Sequence, residues 1–189
     1  MYRNSKDRRF QKNKRALRRA FIDLTIEKGY QNLTITDLTE RADLNRMTFY
    51  SHYDSIEDVF AEFVDDMERE IEGAISKEDE FTIDRFIGIL NPIMYREIDF
   101  FRYVAKEGNC YDFKTSFKDT IGKLIKVDGA AGTAVTESQQ NIISDLCAVC
   151  IAYSYLDWLA GDYGDAELEQ VLSVTKDLLK DHLPWVIYR

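Results

Sequence analysis

The sequence predicts an all-α protein, and three observations carry that prediction. Apolar residues recur at three- and four-residue spacing along most of the 189-residue chain, which is the helical period. Nine Gly and two Pro are too few to punctuate a turn-rich β protein. The turn-forming residues that do occur, such as Gly29 and Gly161 to Gly164, fall at the ends of long periodic runs. With 45% hydrophobic and 31% charged residues the composition is globular and excludes disordered, collagen-like and low-complexity classes. A chain of this length buries roughly 70% of its unfolded surface, so it needs no disulfide or metal staple.

The first helix is expected from about Asp7 to Lys28, with Leu17, Ala20, Phe21 and Leu24 as its apolar stripe and Gly29 as its stop. Thr34-Ile35-Thr36-Asp37 reads as a capping box that opens a short helix whose buried positions are Leu38 and Ala42. Asp43-Leu44-Asn45 makes a turn, and a second short helix follows from about Arg46 to Tyr53. Ser55-Ile56-Glu57-Asp58 caps a long helix to about Ile75, with Phe60, Phe63, Val64, Met67, Ile71 and Ile75 on one face. Further helices are expected near 80–90 and 93–107, separated by a break or kink at Asn91-Pro92, with Gly108-Asn109 stopping the second. Another covers about 112–127, Gly129 to Gly132 is a loop, and two long helices, about 136–161 and 165–183, close the chain before Pro184.

The charge is divided unevenly. The net charge is −9, yet residues 1–53 carry 12 Lys and Arg against 6 Asp and Glu, whereas residues 54–189 carry 13 against 28. Residues 1–19 hold nine basic side chains and one acid, Asp7. Such an asymmetry suggests a polyanion-binding end joined to an acidic body, against the alternative of a solvated basic arm. Arg3, Lys6, Arg8, Arg9 and Lys12 are numerous enough to follow a phosphate backbone. The opening residues are polar and basic, unlike a secretory signal, and three cysteines cannot all pair. The longest apolar stretch, 146–160, contains Ser154 and Asp157 and is short for a bilayer. The expected setting is a reducing cytoplasm with no membrane partner.

Two short helices joined by a three-residue turn, behind a longer helix, match a helix-turn-helix unit. Leu38, Ala42, Leu44 and Phe49 supply the apolar groups of a three-helix core, and the small Ala42 lets two helices cross closely. Asn45 can cap the second short helix, which then presents Arg46, Met47, Thr48 and Ser51 outward, polar or adaptable groups suited to base edges. The segment from Thr34 to Tyr53, with its Thr48-Phe49-Tyr50-Ser51-His52-Tyr53 run, resembles the DNA-binding signature of the TetR family of bacterial transcription regulators. The resemblance covers about residues 10–60. It departs from the family pattern at Asp43, where Gly is usual in the turn; at Ile56, where a lysine often stands; and at Thr39, in place of a smaller Ala.

The resemblance implies a homodimer reading a palindromic double-stranded DNA operator, most often as a repressor. A DNA-binding domain over residues 1–54 would then precede a helical effector and dimerisation domain over 55–189. Arg46, Met47 and Ser51 would face base edges; Thr48, Tyr50 and His52 would contact phosphates or adjacent bases; and Thr34 would reach a phosphate. Asn45 belongs to the same DNA-binding set. Tyr50 is alternatively a partial core residue and His52 a surface residue without a role.

In the body, the helix at 136–161 is apolar all round and must be covered on more than one side. Ile142, Leu146, Val149, Tyr153 and Leu156 follow a 4-3-4-3 seam, and the last helix places Leu168, Val171, Leu172, Thr175, Leu178 and Leu179 on one face. The resemblance implies that these two helices build a dimeric four-helix bundle, with Leu146, Val149, Tyr153, Leu156, Leu172 and Leu179 at the interface; the alternative is that they are only the monomer's own core. An apolar pocket for a small-molecule effector would draw on Phe100, Phe101, Tyr103, Tyr111, Phe117 and Trp158, although aromatics at helical spacing more often form a core. The segment Phe100 to Gly108 is also similar to subgroups of the family that regulate dihydroxyacetone metabolism. Cys147-Ala148-Val149-Cys150 lies inside an apolar helix, without the further ligands that zinc needs, and reads as core. No phosphate-binding Gly-rich loop, zinc-protease motif or nucleophile elbow is present, so neither an enzyme nor a bound cofactor or metal is expected.

Overall fold

Helix α1 (Tyr2–Lys28) begins at Tyr2 rather than near Asp7, so the basic arm continues the first helix. The reason is local: no Gly or Pro precedes Gly29, and Arg, Lys, Gln and Ala are good helix formers. In this computed structural model the described residues are 2–75, 82–107, 111–124 and 136–182, and no strand occurs among them. Gly29 ends α1 with φ 89°, a backbone region that L side chains rarely adopt. After a 3₁₀ turn (Tyr30–Asn32) come α2 (Ile35–Arg41), α3 (Arg46–Tyr50) and α4 (Ile56–Ile75). They are followed by α5 (Ile83–Arg96), α6 (Ile98–Lys106), α7 (Tyr111–Leu124), α8 (Glu137–Ala160) and α9 (Leu168–His182).

The chain forms two compact units, Met1–Asp66 and Met67–Arg189. The N-terminal unit keeps the first half of α4 because Val59 and Phe63 are buried in its core with Leu17, Phe21, Leu38 and Phe49. Arg18 reinforces this, stacking on the Phe63 ring at 4.6 Å and pairing with Asp66 at 3.0 Å.

In the second unit, Pro92 lies inside α5 instead of separating two helices. Proline lacks an N–H and crowds the carbonyl four residues back, that of Gly88. Pro92 and Gly88 are both exposed, so that carbonyl can tilt toward water, while Leu90, Ile93 and Met94 hold the opposite face in the core. The helix breaks at Glu97, and Asn91 accepts a hydrogen bond from the buried Tyr155 hydroxyl. The stop expected at Gly108-Asn109, the loop at Gly129 to Gly132 and Pro184 lie outside the described residues.

Thr136 and Gln139 form a capping box at the start of α8, and Gly161 ends it in the left-handed conformation. Among the described residues α8 alone is long and apolar enough to cross a membrane. It packs against α6, α7 and α9, which explains apolar residues on several of its sides. Ser154 and Thr175 hydroxyls meet at 2.7 Å between α8 and α9, where one donates to the other and the accepting hydroxyl can donate back to a carbonyl of its own helix, an arrangement that satisfies two buried polar groups.

Candidate nucleic-acid interface

The N-terminal unit positions α3 through a series of local contacts. Thr34 caps α2: its hydroxyl accepts from the Asp37 N–H at 3.2 Å, and the Asp37 carboxylate accepts from the Thr34 N–H at 2.9 Å. Lys28 pairs with the same carboxylate and, with Thr34, lowers the Asp37 pKa to about 2. Thr39, the replacement for a smaller residue, is buried without loss because its hydroxyl donates to the carbonyls of Ile35 and Thr36 at 2.9 and 3.0 Å. Asp43 takes φ 53°, the left-handed turn that a glycine would adopt more easily.

Asn45 caps α3. Its side-chain oxygen accepts from the Thr48 N–H at 2.7 Å and from the Thr48 hydroxyl at 3.0 Å. The Ser51 hydroxyl donates to the Thr48 carbonyl at 2.6 Å. The Arg46 guanidinium donates to the Thr36 hydroxyl, linking α3 to the first turn of α2. Met47 is 84% exposed and Tyr50 56%, while Phe49 beneath them is fully buried. Tyr50 is therefore a surface group whose ring edge rests on Phe49 at 5.6 Å.

His52 is half-buried beyond the end of α3. Its ring lies 4.1 Å from Phe10, its Nδ1 is buried with no hydrogen-bond partner, and burial with the neighbouring Lys14 charge pushes its pKa down. Lys14 also lies over the Phe10 and Tyr53 rings and pairs with Glu62, which accepts from the Tyr53 hydroxyl. Burial and this contact with Glu62 push the Tyr53 hydroxyl pKa up. Arg8, Arg9 and Lys12 on α1 are exposed.

Asn45, Arg46, Met47, Thr48, Tyr50, Ser51 and His52 thus lie on α3 and its flanks, while Thr34 stands apart at the start of α2. Sequence reasoning missed Thr36, Phe10, Lys14 and Glu62. The first could have been suspected from its place in the opening turn of α2; the others are joined to the site only by tertiary packing.

In the second unit the residues expected at an interface separate. Leu146 is 53% exposed, Tyr153 45% and Ile142 57%, with Val149 half-buried. Leu156, Leu172 and Leu179 are 1–3% exposed and are part of the unit's own core. On α9 the exposed apolar residues are instead Val174 and Leu178. Phe100, Phe101 and Phe117 are about 1% exposed and pack as core; Tyr103 and Trp158 are half-buried; the Tyr111 side chain lies outside the described residues. Cys147 is buried and Cys150 half-buried, and both are free thiols.

A capped five-residue helix set across a tight turn from α2, presenting its outer face beside a basic α1, defines a helix-turn-helix DNA-binding module. Residues 17–63 match the family model "Bacterial regulatory proteins, tetR family". The match lies within the N-terminal unit and spans α2, α3 and parts of α1 and α4. A relative from Bacillus subtilis (strain 168), an uncharacterized HTH-type transcriptional regulator, YxbF, is 41% identical over 54 residues. That segment is 28% of this chain and only 14% of the relative's length. Across the whole chain the fold is similar to that of the dihydroxyacetone kinase operon activator DhaS, with TM-score 0.66 and 14% identity over 93% of this chain and 98% of that one. It is also similar to Thermus thermophilus FadR, a TetR-family transcriptional repressor solved with lauroyl-CoA, with TM-score 0.55 and 19% identity over 88% and 92% of the two chains. The matched family and these neighbours are regulators, not enzymes.

Proposed function

We propose that the chain is a homodimeric, sequence-specific transcription repressor that occupies a palindromic operator and answers to a small-molecule effector held in its second unit. The observation that carries this reading is the outward face of α3 beside an exposed basic α1, in a chain whose overall charge would otherwise repel DNA. Thr34, Asn45, Thr48, Tyr50, Ser51 and His52 support phosphate contact and the positioning of α3; Arg46 and Met47 face the groove. Dimerisation is supported by Ile142, Leu146 and Tyr153 on α8, exposed beside the half-buried Val149, and by Val174 and Leu178 exposed on α9, apolar residues at helix-packing spacing that a second copy would cover.

Repression needs nothing beyond operator occupancy, whereas activation needs a further contact with the transcription machinery. FadR's lauroyl-CoA supports a ligand site in a unit of this fold; here Tyr103 and Trp158 are the half-buried aromatics available to it. Effector and operator affinities would be reciprocally linked by one coupling free energy. Such a protein works in the cytoplasm, where its DNA is.

The test is selection of sites from a randomised duplex library, followed by footprinting, sedimentation and a promoter reporter. A palindrome bound by a dimer, with half-sites about 34–36 Å apart and lower reporter output, is the expected result. Higher output would make the chain an activator, and the absence of any selected duplex would reject DNA binding.

A further inference from the structure

On α3 and its caps several polar groups that could read bases by hydrogen bonding also make contacts within the protein. The Asn45 oxygen holds the Thr48 amide and hydroxyl, the Ser51 hydroxyl holds the Thr48 carbonyl, and the Arg46 guanidinium holds Thr36. Met47 stands free of all these contacts. At 84% it is the most exposed large apolar side chain among the described residues, on an element whose other apolar member, Phe49, is fully buried. An extended thioether in water is unfavourable unless something covers it. In the major groove the one apolar feature at a base edge is the 5-methyl group of thymine. Methionine is unbranched and polarizable, so it can follow a methyl group without demanding one exact geometry.

We infer that Met47 is a specificity-determining residue that reads a thymine methyl group by apolar contact. The inference rests on the DNA-binding reading above and deepens it: readout by this helix is apolar at its centre, flanked by polar groups that shape the helix.

The test begins with the full-length protein and a duplex selected from a randomised library. Each dT of that duplex is replaced singly by dU, which removes only the methyl group and leaves the hydrogen-bonding edge intact. Affinities are measured at fixed salt for the wild type, Met47→Ala and Met47→Leu. Burying one methyl group predicts that one dT→dU replacement weakens wild-type binding about fourfold. In Met47→Ala that difference disappears while the salt dependence stays, and in Met47→Leu it remains. Since Met47 is 84% exposed, thermal melting of both variants is expected to match the wild type. The inference is overturned if no dU replacement weakens wild-type binding, if the penalty persists in Met47→Ala, or if the selected site has no thymine. In these three cases the duplex still binds and DNA recognition stands; if no duplex is selected, the DNA-binding reading falls and this inference with it.

Discussion

His52 joins the recognition segment to the first helix, and its chemistry there is set by what surrounds it. Its ring is packed against Phe10, its Nδ1 is buried without a partner, and Lys14 is near. Burial, then the Lys14 charge, disfavour the imidazolium, and only Glu62 opposes them. The folded-state pKa is therefore below the unfolded value. The stability this contributes is present above about pH 6.5 and is lost as pH falls through the folded value. Thermal unfolding followed from about pH 8 to about pH 5 is expected to show a loss that His52→Phe reduces, because phenylalanine keeps the ring contact and cannot titrate. An identical pH profile in the variant would assign the loss to other groups. Thr34 carries a second expectation. Its side chain satisfies an otherwise orphan N–H of α2, so Thr34→Ala should lower stability by about 1 kcal/mol in urea denaturation, with Thr34→Ser recovering most of it. These caps were legible in the sequence because each is a contact between residues three apart. The Arg46 to Thr36 and Lys14 to Glu62 pairs were not, because they depend on how helices cross.

At the scale of elements, α8 shows where sequence periodicity stops deciding. A helix that is apolar on nearly every side has several faces that could be a seam. The 4-3-4-3 run ending at Leu156 mixes two of them: Leu146 and Tyr153 point outward, while Leu156 lies in the core beside Tyr155. In α9 Leu172 and Leu179 are buried, whereas Val174 and Leu178 are exposed. A substitution pair separates the two faces. Leu146→Glu is expected to leave the monomer folded, since the residue is half in solvent, but to shift sedimentation from dimer to monomer. Leu156→Ala is expected to cost about 2–5 kcal/mol of unfolding free energy through the cavity it leaves, whatever the oligomeric state. A Leu146→Glu protein that remains dimeric would place the interface elsewhere. Pro92 is the other element-scale lesson. The sequence predicts a break or kink at Asn91-Pro92, but a proline on the solvent side of a helix whose other side is strongly apolar can be carried through it.

The whole molecule is organised by charge as much as by packing. The helical class and the helix-turn-helix were legible because length, punctuation and local capping specify them. The partition of the acidic body into core and surface was not, because nearly every helix there carries enough apolar residues for either. The charge division has a measurable consequence. With pI near 4.8 the protein as a whole repels a polyanion, so DNA binding must rest on local cations. About three or four phosphates neutralised per subunit would give a log–log salt slope of about −5 to −7 for a dimer. Arg8, Arg9 and Lys12 are exposed on α1, and Phe10 between them packs against His52, at the end of the segment that follows α3. These cations therefore lie on a folded helix tied to the recognition segment. Replacing all three by Gln is expected to flatten the slope by roughly two or more per dimer while base preference is kept, because phosphate contacts position the protein and carry no sequence information. The helix itself should persist, since Gln is nearly as good a helix former as Arg or Lys. A slope that does not move would mean that α1's exposed cations face solvent in the complex, leaving α2 and α3 to supply the phosphate contacts alone.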